Sequence, residues 1–346
     1  MKFGIFSNGL RHNQIAADSY DEDLAEIVAA DRLGYHEAWV SEHMGSWLPD
    51  AVPMAELMIA KAAGVTARIK LGPAVRLSPL FHPLDLAVSA AMCDHLLRGR
   101  YLFGFGSGVP FLRNMERRGL TNDMRHPMMM ESIEFVLKAW TATEPFDWHG
   151  EYWQGTEIVC TPRCYQSPHP PIAVATGQSA LIRMAAAQGW TMIVPQFDAP
   201  VAIAAKARAY LDAAAAAGGK GTRQQLTVAR HVFVADSVAA ARAILRDDVQ
   251  RALEEWKRVN PERFKGYLPP SGRAEDITFD RAFDSGLFIG GDPDTVLSQL
   301  TELVEESGGF GTLLLVMGKD WASAKARERS LELFMSDVAP RLDAVH

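Results

Sequence analysis

A histidine ends the run Ala38-Trp39-Val40-Ser41-Glu42-His43. An imidazole at the mouth of an apolar strand titrates near neutral pH and can relay a proton there. A buried histidine with a purely structural bond is the competing reading. Strand alternation turns Glu42 the other way, so it is expected to be a structural partner rather than a second catalyst. Ala175-Thr176-Gly177-Gln178-Ser179 joins an apolar run to a helical pattern. Small residues at such a junction expose backbone N–H groups at a helix N-terminus, which suits a phosphate, and Ser179 can add a hydroxyl. A plain helix cap after a glycine turn gives the same sequence. Gly104-Phe105-Gly106-Ser107-Gly108 lacks dinucleotide-fingerprint spacing, and Val109-Pro110 stands where that helix would begin, so a Rossmann reading is rejected. Close backbone approach to a flat ring, or a tight turn, accounts for these glycines. Asn8 ends the first strand-like run. His82, before Pro83, reads first as a helix-start residue and second as a site contact. The histidines lie singly, with no His-x-His at a strand end, so no metal site and no metal-dependent hydrolase is expected.

These positions matter because of the elements that carry them. Short β-branched or aromatic runs alternate with long helical patterns, the sequence form of βα units around a parallel sheet. Strands are expected at Lys2–Phe6, His36–Val40, Ile69–Val75, Tyr101–Phe105, Ile172–Ala175, Met192–Val194, Leu226–Val234 and Thr312–Val316. Helices are expected at Asp21–Leu33, Ala55–Thr66, Leu84–Leu97, Met128–Trp140, Ser179–Gln188, Val201–Ala217, Val238–Trp256, Thr295–Glu306 and Ala322–Val338. Eight strands favour a closed α/β architecture, a (β/α)8 TIM barrel spanning residues 1–346 as one domain, over an open sheet. Reactive groups in such barrels sit at strand C-termini, where the candidates above fall. Two breaks in the rhythm are expected to be insertions: a hairpin excursion at 146–166 before strand five, and a mobile lid at 260–286 before the last βα unit.

The chain has 346 residues, 48% hydrophobic and 22% charged, enough for a large core. A net charge of −7 speaks against nucleic acid or an anionic membrane as partner. No apolar stretch reaches the ~18 residues of a membrane span, and the N-terminus reads as a strand rather than a signal peptide. Cys93, Cys160 and Cys164 read as reduced thiols of a cytoplasmic protein. Met124, Met128, Met129 and Met130 line either an apolar cavity or an interface, or fill core, the commoner use. Trp153, Trp190, Phe197 and Tyr267 are candidates for walls or lid.

At Ser41-Glu42-His43 and Gly72-Pro73-Ala74-Val75 the chain resembles the bacterial luciferase family of flavin-dependent monooxygenases. The likeness runs on through His82-Pro83, Arg98-Gly99-Arg100, Pro170-Pro171-Ile172-Ala173-Val174-Ala175, Ile289-Gly290-Gly291-Asp292-Pro293 and Phe334-Met335-Ser336-Asp337-Val338-Ala339-Pro340. Limonene-monooxygenase-like and diketocamphane-monooxygenase-like members look nearest. The resemblance implies a (β/α)8 barrel with FMN at the strand C-termini. The flavin would arrive reduced from a separate reductase and react with O2, through a peroxyflavin, to oxidise a small lipophilic substrate. It makes His43 the catalytic histidine and places a non-prolyl cis peptide at Ala74-Val75 behind the flavin ring. It assigns Thr176, Gly177, Gln178 and Ser179 to the phosphate, with Gly106 and Ser107 in the turn facing them. Luciferase α chains carry a cysteine and an arginine at Gly106 and Ser107, and a carboxylate at Thr176, which argues against light emission. The missing arginine leaves Arg113 or Arg125 to answer the phosphate charge. A homodimer is implied. The rivals are a deazaflavin-dependent hydride-transfer oxidoreductase on the same fold and a non-catalytic flavoprotein or partner subunit.

Overall fold

The computed structural model describes residues 1–7, 15–44, 52–110, 113–317 and 321–345. Asn8 lies outside the described residues. The chain opens with β1 Lys2–Ser7, α1 Ala16–Leu33, β2 Glu37–Val40, α2 Ala55–Ala63, β3 Lys70–Pro73, β4 Arg76–Leu77, α3 Pro83–Leu96 and β5 Phe103–Gly106. It continues through α4 Arg125–Thr141, β6 Phe146–His149, β7 Gln154–Ile158, β8 Ile172–Val174, α5 Ser179–Gln188, β9 Thr191–Val194, α6 Pro200–Ala216 and β10 Leu226–Val234. It ends with α7 Val238–Val259, α8 Phe279–Asp284, β11 Phe288–Gly291, α9 Pro293–Ser307, β12 Thr312–Met317, α10 Ala324–Leu333 and α11 Ala339–Val345.

One parallel sheet runs in the order β3-β2-β1-β12-β10-β9-β8-β5-β4, with β11 paired to β10. β3 and β4 are halves of one segment, and Leu71 bridges Tyr101, so the path returns on itself. Counted as one strand, they complete a nearly closed (β/α)8 barrel. β6 and β7 form a separate antiparallel hairpin between α4 and β8. No helix among the described residues is long and apolar enough to cross a membrane.

Strand alternation sends one set of side chains outward under the helices and the other into the barrel. The inner set includes Trp39, Leu102, Ile193, Leu314 and Val316. Trp39 is the largest, and two glycines make room for it. A Cβ on Gly72 or Gly104 would lie 2.8 or 2.9 Å from its ring, and on Gly104 also 2.0 Å from the Pro73 carbonyl oxygen. The indole N–H donates to Glu37 Oε1 at 2.8 Å, which satisfies the buried donor.

The structure departs from the sequence expectation in three places that bear on function. The third strand is not continuous from Ile69 to Val75. It breaks at a cis Ala74–Val75 peptide, and Arg76–Leu77 resumes beside β5 instead of β2. β11 was not expected, because two of its four residues are glycine. It lies along His231–Val234, while β9 takes Leu226–Val228. Gly290 is required there by packing, since a Cβ would meet the Phe283 ring at 2.6 Å. The stretch 260–286 is not structureless: it holds short helical turns and α8, anchored by the buried Phe264, Tyr267, Phe279 and Phe283.

Candidate active site

At the C-terminal ends of the strands lies a cavity of about 290 Å³. Phe6, Ala74, Ile193 and Ala229 belong both to its lining and to the packing of the barrel interior, so its floor is the top of that core. The alanines matter: side chains of leucine size at these positions would fill the space. His43 and Val75 reach the same cavity, as do Phe197, Trp256 and Arg263.

The loops that carry His43 and Ala74–Val75 are tied together by a buried ionic network. The Glu42 carboxylate accepts N–H bonds from Leu77 and Ala55, both at 3.1 Å, and a charged bond from the Arg76 guanidinium. Arg76 also faces Glu56 at 3.6 Å and lies over the Phe81 ring at 4.1 Å. Glu56 in turn accepts from the Tyr101 hydroxyl at 2.7 Å. Burial raises the Glu42 carboxyl above its ordinary value, against the pull of Arg76 and the two N–H groups. Thus the residue before His43 holds the residues after the cis peptide. The His43 N–H donates to the Val52 carbonyl at 3.1 Å, and the side chain is half-buried.

A second polar group gathers at the ends of β5 and β8. The Thr176 hydroxyl accepts from the Gln178 N–H at 2.9 Å, which folds the turn before α5. A Cβ on Gly177 would meet nothing within 4 Å, so bare backbone faces open space at the start of that helix. Arg125, at the head of α4, donates to the Ser107 hydroxyl at 3.1 Å and to the Gly108 carbonyl. Its other terminal nitrogen lies 3.1 Å from His126 Nε2, and the Gln178 amide nitrogen lies 3.2 Å from the same atom. Both neighbours are donors, which assigns Nε2 as acceptor and places the proton on Nδ1. Burial, then the charge of Arg125, lowers the His126 pKa and favours that neutral form. Arg125 Nε and His126 Nδ1 are buried without a hydrogen-bond partner. Two orphaned donors beside the N-terminus of α5 are groups that could receive an anion.

The sequence candidates therefore separate. Ser107, Gln178 and Arg125 meet in this one corner, Thr176 shapes its turn, Ser179 opens the helix, and the Gly106 carbonyl accepts from Ser78 at 3.2 Å. Arg113 is exposed. His82 caps α3, accepting the Leu84 N–H at 3.2 Å, and does not line the cavity. Met128 packs with Met115 and Trp153, and Met124 rests on them beside the hairpin, so these methionines fill core. Of the four aromatic candidates only Phe197 reaches the cavity. His126 and Arg263 were not singled out from the sequence. His126 follows Arg125 directly, and that adjacency was the available signal; Arg263 sits in a stretch with no period to read.

A barrel with a cavity at its strand C-termini and two orphaned donors at the edge is the architecture of a cofactor-dependent enzyme. The chain belongs to the luciferase-like monooxygenase family, whose model matches residues 1–309. It is 27% identical to a 3,6-diketocamphane 1,6-monooxygenase of Pseudomonas putida, over 98% of this chain and 97% of that one. It is 29% identical to a limonene 1,2-monooxygenase of Rhodococcus erythropolis, over 93% and 81%. Among solved structures it superposes on the oxygenating constituent of a Pseudomonas putida 3,6-diketocamphane monooxygenase. That protein is a type II Baeyer-Villiger monooxygenase in complex with FMN, matched with a TM-score of 0.87 and 27% identity over 99% and 98% of the two chains.

Proposed function

We propose that the protein is the oxygenase of a two-component system, a monooxygenase that takes reduced FMN from a separate reductase and uses O2 to oxidise a small lipophilic molecule. The observation that carries this reading is the Arg125–His126–Gln178 cradle at the edge of an apolar cavity floored by the barrel core. The orphaned Arg125 Nε and His126 Nδ1, with the free N–H groups at the start of α5, would hold the phosphate. Ala74, Val75 and Gly106 would border the ring. Bound there, the reduced flavin supplies the electrons that activate oxygen, and the protein supplies place and dryness. The wall of Phe6, Ile193 and Ala229 excludes water from the reacting centre. His43 holds or moves a proton at its imidazole on the same cavity.

Segment 260–286 would close this cavity, since it contributes Arg263 to the lining, and its residues 269–271 are exposed. Shortening that stretch raises peroxide release per flavin oxidised and leaves FMN affinity unchanged; unaltered coupling would remove the lid role. A second copy of the chain would cover the apolar side chains left exposed on α2 and α3. Leu57 is 70% and Met92 57% exposed there.

Anaerobic titration with reduced FMN, reduced riboflavin and a reduced deazaflavin cofactor tests the assignment. FMN should bind at least ~10-fold more tightly than riboflavin, the worth of one charge-assisted contact. Preference for the deazaflavin would transfer the site to hydride chemistry.

A further inference from the structure

We propose that Trp256 sets the reach of the substrate site: its indole closes the cavity off from a second, polar chamber at His231, and so bars molecules that extend in that direction. This inference rests on the assignment of the cavity to the substrate and names the residue that limits what enters it.

The chamber follows from the register of β10. Ala229 lines the cavity, and alternation sends His231, two residues on, to the same face of the strand. There the neighbouring strand changes: β9 pairs with β10 as far as Val228, and β11 takes over at His231. His231 is therefore aligned with Phe288 on one side and with Val316 on the other. Its imidazole stacks on the Phe288 ring at 4.6 Å between centres, with the planes 14° apart. A void of about 10 Å³ lies beside it, bordered also by Val316 and Trp321.

Two rings separate this group from the cavity. Trp256, near the end of α7, lies over the imidazole at 5.6 Å with the planes 22° apart, and Phe197 meets it edge on at 5.5 Å. Both rings line the cavity, and His231 lies one ring behind them. They hold each other edge to face at 4.8 Å, and Trp256 also packs against Trp321 at 5.9 Å and Phe288 at 6.4 Å. An indole held on several sides in this way is a fixed wall, and its bulk decides where the cavity ends.

What the wall conceals is polar. His231 is 1% exposed, and neither ring nitrogen has a hydrogen-bond partner among the described residues. Burial, then the charge of Arg230, draws its pKa down to about 3, against an upward pull from the Val316 main chain. The imidazole is therefore neutral at pH 7, with one nitrogen donating and the other accepting, which suits a hydroxyl. With Trp256 in place the cavity ends in hydrocarbon; with a smaller side chain it would end in a hydrogen-bonding group.

The test measures binding without flavin, by displacement of an apolar fluorescent dye and by calorimetry. The probes are methylcyclohexane, butylcyclohexane and 4-cyclohexylbutan-1-ol, one body with no tail, a tail, and a tail ending in a hydroxyl. Trp256→Ala should bind butylcyclohexane at least ~10-fold more tightly than the wild type does, the worth of about two buried methylenes. Its affinity for methylcyclohexane should stay within about threefold. Trp256→Phe, which keeps a ring in the stack, should move the same way by a smaller factor, and it carries the test if the alanine variant does not fold. Adding His231→Leu to either should weaken the alcohol by roughly 3- to 10-fold and leave butylcyclohexane unaffected. No gain for butylcyclohexane, an equal gain for all three ligands, or an alcohol indifferent to His231→Leu would overturn the proposal. So would failure of methylcyclohexane to bind the wild type, or loss of reduced-FMN affinity in Trp256→Phe, which would place the indole on the flavin. Failure of the wild-type chain to bind reduced FMN strikes the flavin assignment alone, because the ligand series contains none.

Discussion

The two polar groups beside the cavity are built on opposite plans. On the side of β2 and β3, Glu42, Arg76, Glu56 and Tyr101 pair with one another in a buried ionic network, and its donor without a hydrogen-bond partner, Arg76 Nε, still faces the Glu56 carboxylate at 3.6 Å. At the ends of β5 and β8, Arg125, His126 and Gln178 are partly exposed, and two buried donors among them lack a partner. The closed network fixes backbone: it clamps the segments on either side of the cis peptide and the strand end that presents His43. The open one keeps donors in reserve. A protein that must hold a ring in one place and capture an anion beside it separates the two tasks, because a donor used for rigidity is not available for binding.

Removing one member from each side should expose this contrast. Glu42→Ala strands the buried Arg76 cation, so stability in urea should fall by about 3–5 kcal/mol. Arg125→Ala should leave stability within about 1 kcal/mol, since its partners regain water. Equal losses at the two sites would erase the distinction. Next in size, His43→Ala should slow substrate oxidation by at least ~100-fold with unchanged far-UV circular dichroism and FMN affinity. Turnover within a few-fold of the parent would return His43 to a structural role. Smallest is Arg125→Ala in binding, expected to weaken reduced FMN by roughly 10- to 100-fold while riboflavin is unaffected. A matching loss for riboflavin would show that Arg125 shapes the ring site rather than the phosphate corner.

What could be read from the residues follows the same division. The strand-end rule placed His43 and the Thr176–Ser179 turn, because a barrel confines its chemistry to one rim and the alternation of strands and helices marks that rim. Ala74–Val75 was placed by resemblance, and the peptide is cis. Arg125 stood as one of two arginines that could answer a phosphate, since charge is visible in a sequence but distance is not; the structure brings it to Ser107 and leaves Arg113 exposed. Arg76 and Glu56 gave no sign of pairing, their partners being 34 and 45 positions away in the chain. β11 escaped notice because glycine, demanded there by the Phe283 ring, reads as a turn. Arg263 depends on how an aperiodic segment folds back over Phe197, which only long-range packing decides.

The most direct test of the flavin assignment is to form the complex with reduced FMN under anaerobic conditions and mix it with air-saturated buffer. Absorbance of the oxidised flavin and released peroxide are followed together. A monooxygenase should consume oxygen promptly yet delay both the return of oxidised flavin and the release of peroxide well beyond the rate of free flavin. Reoxidation at the free rate with immediate stoichiometric peroxide, or no binding of reduced FMN, would contradict it.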